Sequence, residues 1–252
     1  MNLGLNNKIV VLTGATGGIG QQICLEFIQE GAHVVCLFRN EKKVEDLIDR
    51  LKVSKADLNS VSFKKTNLLH KNNIREVVSE IVKEKGRIDV LVNCAGNVVE
   101  LPFAMMSEEQ IDQMYQVNLK TMMLLTQAIL KPMFSQKSGS IVNVSSIAAL
   151  RGGRGITAYS SMKAGIDSFT RTLALEVGRK NIRVNAVRPG GIKTKMSEPL
   201  ESRAEKYIPE RIILSRFGTP EEVSKGVLFL ASDATASYIT GTCLNIDGGY
   251  LV

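Results

Sequence analysis

The sequence predicts an α/β protein built on a parallel sheet with helices on both faces. Three observations predict it. Short β-branched runs alternate with segments of 3.6-residue apolar period, the alternation of a βαβ architecture. Several runs are apolar at consecutive positions, as strands covered on both sides must be. Their polar residues collect at the C-terminal ends, where an open α/β sheet places its ligand. At 252 residues and 44% apolar content the chain can bury a sizeable core, and with no repeat, low-complexity tract or linker it reads as one domain over residues 1–252.

The first run, KIVVLTG, leads into the turn TGATGGIG, and a helix opens at about Ile19. Gly14, Gly18 and Gly20 let the backbone turn sharply and approach a ligand, while the free N–H groups of a helix start supply donors and a positive dipole end. Such a turn suits a dinucleotide pyrophosphate. A glycine-rich turn also arises for steric reasons alone, and the strand–turn–helix context favours the nucleotide reading.

The second run, AHVVCLF, ends where a residue reading the adenosine ribose belongs. An acid there would accept from a free 2′-hydroxyl, and a base would bind a 2′-phosphate. Arg39 follows Phe38, with Lys42 and Lys43 behind it and no carboxylate before Glu41. NADP(H) is therefore expected over NAD(H), with Arg39 on the phosphate. An exposed arginine at a strand end is the plainer alternative.

The runs SVSFKKT, IDVLVNCAG and GSIVNVSS supply the third to fifth strands, and IRVNAVRPG and TCLNIDGG the sixth and seventh. Between the fifth and sixth lies a helix in which Ala158, Met162, Ile166, Phe169, Leu173 and Val177 form an apolar stripe. Tyr159 and Lys163 lie along its margin at i and i+4, so their polar ends can share one site. A phenol ordinarily loses its proton only near pH 10, and a neighbouring ammonium favours the phenolate. Alone, the pair reads better as a core-margin tyrosine beside a lysine stem. Ser146 ends the fifth strand thirteen positions earlier, within reach of the phenol, with Ser145 as an alternative or as a backbone partner. Asn118 interrupts an apolar helical pattern, where it can hold a proton-relaying water, bend the helix, or do both. Residues 192–217, charged and carrying two prolines, are read as a flap over a substrate pocket.

Other classes are set aside. The chain start has no basic n-region or long apolar segment, and no apolar run approaches the roughly 20 residues that span a bilayer. A cytoplasmic protein without membrane attachment is expected. Cys24, Cys36, Cys94 and Cys243 are scattered without a CxxC pair, and His33 and His70 are the only histidines, so no metal site is expected. The net charge of +7 is dispersed; it suits acidic small-molecule or carrier partners, and no nucleic-acid partner is expected.

The turn at 13–20, NCAG at 93–96, Asn118, Ser146, Tyr159, Lys163 and RPGGIKT at 188–194 together resemble the short-chain dehydrogenase/reductase family over essentially the whole chain. The resemblance implies a three-layer Rossmann fold with a doubly wound seven-stranded sheet, an Asn-Ser-Tyr-Lys tetrad and a homotetramer assembled through helices containing Leu124–Met133 and Ile166–Val177 and the C-terminal strand. It places Gly14, Thr16, Gly18, Ile19, Gly20, Asn67, Leu68, Asn93, Ala95, Gly96, Tyr159, Lys163, Pro189, Gly190, Ile192 and Thr194 around the cofactor. Asn67 stands where an aspartate is common, and an amide can still donate and accept. Within the family the chain is most similar to the 3-oxoacyl-acyl-carrier-protein reductases, on GRIDVLVNCAGN and the segment from Ser215 to Gly241. That implies NADPH-dependent reduction of a 3-oxoacyl thioester on acyl carrier protein or coenzyme A, in fatty-acid synthesis. Two alternatives stay open: the same chemistry on a sugar, polyol, steroid or xenobiotic ketone, and a non-catalytic NADP-binding sensor or scaffold.

Overall fold

A computed structural model of the chain describes residues 2–194 and 211–252. Seven parallel strands, β1 (Ile9–Thr13), β2 (His33–Phe38), β3 (Val61–Lys65), β4 (Val90–Asn93), β5 (Gly139–Val144), β6 (Ile182–Pro189) and β7 (Cys243–Ile246), lie in the order β3-β2-β1-β4-β5-β6-β7. Each corresponds to one of the seven runs. The chain travels outward from β1 to β3, crosses back, and continues outward on the other side from β4. The order therefore reverses between β1 and β4, and an open α/β sheet forms its ligand crevice at that switch.

Alternation along β1 sorts the core into two layers. Val10 and Leu12 pack with α1 (Gly18–Gln29), around Ile23 and Phe27, and with Val223 and Val227 of a later helix, Pro220–Ala231. Ile9 and Val11 face the opposite layer, made by α3 (Lys71–Lys85), α5 (Thr121–Gln136) and α6 (Thr157–Val177). The remaining α-helices among the described residues are α2 (Lys42–Val53), α4 (Glu108–Tyr115), α7 (that Pro220–Ala231 helix) and the short α8 (Asp233–Ala236). Fully buried side chains such as Phe27 and Leu12 each contribute about 1.5–3 kcal/mol of transfer free energy.

Local signals set the helix ends. Ser107 and Gln110 form a capping box at the start of α4, and Thr219 and Glu222 do so before α7, with Pro220 in its first turn. Gly86, at φ +77°, ends α3 in the left-handed conformation. Of the flap expected at 192–217, residues 195–210 lie outside the described residues. Its ends are tied together by a parallel bridge between Ile192 and Gly218. Among the described residues, no helix is long and apolar enough to cross a membrane, and no group of three or more His, Cys, Asp or Glu could hold a metal ion.

Candidate active site

The switch point is built by close backbone approach. Gly14 follows β1 at φ +72°, and a Cβ there would stand 2.7 Å from the amide nitrogen of Ala95, which follows β4. Thr13 Oγ1 fixes the same junction by accepting from Cys94 N at 3.1 Å and Ala95 N at 3.2 Å. A Cβ at Gly20 would overlap the Gly14 carbonyl, so the helix start can sit against the strand end only as glycine. Gly17, the N-cap of α1, offers no side-chain acceptor, and the first turn carries no acid. The N-terminal amides and dipole of α1 are thus left for an external anion. Thr194, arriving from beyond β6, comes within 2.9 Å of where a Gly18 Cβ would lie. The nicotinamide-end segment expected from the sequence therefore closes onto the glycine turn, and the cradle fits a dinucleotide.

At the other end of the crevice Arg39 lies exposed just after β2, with no ion-pair partner among the described residues. The first carboxylate after it, Glu41, is taken by Lys65 at 2.8 Å, and that contact lowers the Glu41 pKa. Asn67 and Leu68 follow β3 at the same sheet edge. Asn67 Oδ1 accepts from Leu69 N at 3.2 Å, and the Leu68 carbonyl accepts from Thr121 Oγ1 at 3.4 Å.

Tyr159 and Lys163 sit in the first two turns of α6. Lys163 is only 4% exposed; its Nζ donates to the Val144 carbonyl at 2.8 Å and lies 5.5 Å from the Tyr159 ring centroid. Tyr159 packs at the edge of a small apolar cluster with Met114, Ala158 and Met162. Ser146 is half-buried, and its Oγ accepts from Ala148 N at 3.1 Å, which leaves the hydroxyl hydrogen for another partner. The alternative, Ser145, is committed: its buried hydroxyl donates to the Lys163 carbonyl at 3.2 Å.

Asn118 lies in a π turn, Gln116–Lys120, that joins α4 to α5. Such turns often mark functional sites. Its Nδ2 is 2.9 Å from the Met114 carbonyl, one turn earlier, and 2.9 Å from both Asn97 O and Asn97 Oδ1. Its Oδ1 accepts from Asn97 N at 3.2 Å. The amide thus resolves the irregular turn and clasps the loop after β4. A Cβ on Gly96 would lie 2.8 Å from Asn118 Oδ1 and 3.7 Å from Lys163 Nζ, so both polar groups converge on the space kept open by that glycine.

Two details of this site come from the structure alone. The side chain of Asn93, a residue the resemblance sets around the cofactor, turns into the core: its Nδ2 donates to Asn143 Oδ1 at 2.9 Å and lies 3.2 Å from Thr126 Oγ1. Asn143 in turn donates to Thr170 Oγ1 at 2.9 Å. These residues form a buried polar ladder across β4, β5, α5 and α6. Beside Pro189 and Gly190, the space freed by Gly191 is filled by the Phe217 ring, which a Cβ at 191 would strike. Gly190 N donates to Ile246 O at 2.9 Å and holds this segment on β7. The thiol of Cys94 is pushed up to about 11 by burial, against the opposing pull of the Lys163 charge, and so stays protonated at neutral pH. Sequence reasoning missed Thr13, Asn97 and the polar ladder; the alternating Asn and Thr residues on buried runs were the available signal.

The sequence model of a family described as "Enoyl-(Acyl carrier protein) reductase" matches residues 14–251. Over 98% of its length the chain is 42% identical to the 3-oxoacyl-[acyl-carrier-protein] reductase FabG of Thermotoga maritima, covering 99% of that protein. It is 38% identical to an acetoacetyl-CoA reductase of an Acinetobacter species, with 96% of this chain and 97% of that protein covered. Among solved structures, one from Agrobacterium tumefaciens, assigned as a 2-deoxy-D-gluconate 3-dehydrogenase and containing bound NADP, superposes with a TM-score of 0.89 at 31% identity, covering 99% of this chain and 98% of that one. With the glycine turn, the Tyr159–Lys163 helix and the β3-β2-β1-β4-β5-β6-β7 sheet all in place, the chain belongs to the short-chain dehydrogenase/reductase family.

Proposed function

We propose that the protein is an NADPH-dependent reductase of 3-oxoacyl thioesters, carried on acyl carrier protein or coenzyme A, acting in cytoplasmic fatty-acid synthesis. The observation that carries this reading is the buried Lys163 ammonium, set beside the Tyr159 ring and hydrogen-bonded to the end of β5 two residues before Ser146, at the sheet edge that also carries the glycine turn. The names of the relatives in Thermotoga and Acinetobacter support the thioester.

In this reading Arg39 binds the 2′-phosphate, the turn from Gly14 through Thr16 to Gly20 cradles the pyrophosphate, and Asn67 and Leu68 flank the adenine. The Asn93 backbone, Ala95, Gly96, Pro189, Gly190, Ile192 and Thr194 line the nicotinamide end. When bound, the nicotinamide supplies a hydride. Ser146 Oγ donates to the ketone oxygen and fixes its direction, and Tyr159 Oη gives that oxygen its proton as negative charge develops there. The Lys163 ammonium stabilises the phenolate left behind. Asn118 keeps the loop after β4 clear of Lys163 by clasping Asn97. The whole chain serves as one catalytic domain. Exposed apolar side chains on the proposed tetramer helices, Phe134 on α5 and Leu175 on α6, support a homotetramer, which light scattering of the purified protein tests.

Purified protein is assayed for NADPH oxidation with acetoacetyl-CoA, crotonyl-CoA and a panel of sugar-acid ketones. Turnover of the acetoacetyl thioester is expected. Oxidation with crotonyl-CoA alone would instead support the enoyl reduction named by the matching family description. Oxidation with sugar-acid ketones alone would support the second reading, which the NADP-bound structural relative favours.

A further inference from the structure

Asp167 and Arg188 form a buried ion pair that the proposed chemistry does not use. Their side chains are 3% and 10% exposed, and Arg188 Nε donates to Asp167 Oδ2 at 2.8 Å. Arg188 Nη1 also reaches the Cys243 carbonyl and Asn245 Oδ1 of β7, each at 3.3 Å. Asp167 Oδ1 has no hydrogen-bond partner among the described residues, and the Cys243 thiol set against this carboxylate is a weak donor, so Arg188 is the strong donor on which it depends. Burying two charges carries a desolvation cost that apolar side chains of similar volume avoid, and such replacement is often neutral or stabilising. A need for bulk or stability alone therefore does not account for the pair.

Its position suggests what it adds. Asp167 lies one helical turn beyond Lys163 and two beyond Tyr159, while Arg188 immediately precedes Pro189. The contacts close a ring. Lys163 Nζ donates to Val144 O at 2.8 Å, and Ser145 Oγ donates to Lys163 O at 3.2 Å, joining α6 to the end of β5. Ser145 N donates to Val187 O at 2.9 Å, joining that end to β6. The next residue, Arg188, returns to α6 at Asp167. Without this last link, the turn carrying Lys163 is tied by these contacts to β5 alone. With it, that turn is also referenced to the strand that continues into Pro189, Gly190 and Ile192. The forked guanidinium, held at once by a carboxylate, a carbonyl and an amide oxygen, fixes direction as well as distance.

We propose that Asp167 and Arg188 are positioning residues of the reductase, setting the height of the Tyr159–Lys163 turns of α6 against the β6 end that lines the nicotinamide. This rests on the proposed roles of Tyr159 and Lys163. Removing one partner leaves a buried charge uncompensated and can prevent folding, so the test replaces both, as Asp167→Leu with Arg188→Met. Cooperative melting is checked, and NADPH affinity is read by fluorescence titration of the full chain. The double variant is expected to melt cooperatively and to bind NADPH with unchanged Kd, with kcat for acetoacetyl-CoA lowered about 10²-fold, the scale of a small misplacement of reacting groups. A folded double variant with kcat within about a factor of two of the parent overturns the proposal, as does a loss confined to NADPH affinity. Tyr159→Phe, assayed in parallel, separates the failures: full activity there overturns the site assignment and the positioning role with it. An inactive Tyr159→Phe beside a fully active double variant overturns the positioning role alone.

Discussion

The two halves of the crevice are built by opposite means. On the β1–β3 side, recognition is made from backbone and from missing side chains. Gly14 and Gly20 are required by contacts a Cβ would break, and the one basic group assigned to the cofactor, Arg39, stands exposed. On the β4–β6 side the same sheet edge is built from buried polar side chains, among them Lys163, Asn118, Asn93, Asn143, Thr170, Asp167 and Arg188. In the first half the strictest requirement falls on positions where no Cβ fits. In the second, almost any truncation leaves a donor or acceptor without its partner, at a cost of about 1–3 kcal/mol each. Binding and catalysis should therefore fail separately under mutation.

The largest expected effect falls on the catalytic side. Tyr159→Phe removes the proposed proton donor and should lower kcat by about 10²–10⁴-fold while NADPH affinity, measured by fluorescence, is retained. Parallel loss of both would blur the division between the halves. Gly20→Ala should do the reverse and damage the turn itself, because its methyl would overlap the Gly14 carbonyl. Loss of NADPH binding, together with a lower melting temperature, is the result expected from titration and calorimetry. Arg39→Asp should invert cofactor preference without unfolding the protein. A hydrogen bond to a charged group contributes about 1.5–3 kcal/mol, so kcat/KM for NADPH relative to NADH should fall by about one to two orders of magnitude.

Smaller effects sharpen the comparison. Asn118→Ala strands the Met114 carbonyl and frees the Asn97 loop, and urea unfolding should show a loss of about 1–3 kcal/mol together with reduced kcat. For Cys94 the sign is fixed by linkage. The folded state holds the thiol proton up to about 11, against 9.0 for an unburied thiol, so the unfolded state releases it first as pH rises. The contribution of this group is intact below pH 9.0 and is lost as pH climbs toward 11. Melting temperature should fall over that window, with a shallower fall in Cys94→Ala. Slow alkylation of Cys94 in the native protein at neutral pH is the companion expectation.

Legibility in the sequence follows the same divide. The glycine turn could be read because its requirements are local: a strand end, a helix start and the absence of Cβ atoms appear in consecutive letters. Ser146, Tyr159 and Lys163 were legible as candidates because the helical period places i and i+4 side by side and a strand end fixes the edge of the sheet. Asn118 was legible as an amide interrupting an apolar pattern and, through the resemblance, as a member of the tetrad, but its contacts were not. Its clasp on Asn97 joins residues 21 positions apart and depends on a π turn that apolar periodicity does not reveal. The side-chain contacts of Asn93 were hidden for the same reason, since its neighbours in the ladder come from β5 and α5.

The sequence by itself determined the strand count, the alternation, the glycine turn, the polar strand ends and the basic residue after β2. Each depends on propensity, period or spacing within one element or between consecutive ones. Only the tertiary structure decided which of two adjacent serines is spent on the backbone, that the space at Gly191 belongs to Phe217, and that Asp167 meets Arg188. Those outcomes depend on groups far apart in the chain being brought into a dry interior, where an unpaired polar atom is costly and a partner from any element will satisfy it. No single stretch of sequence records that pairing.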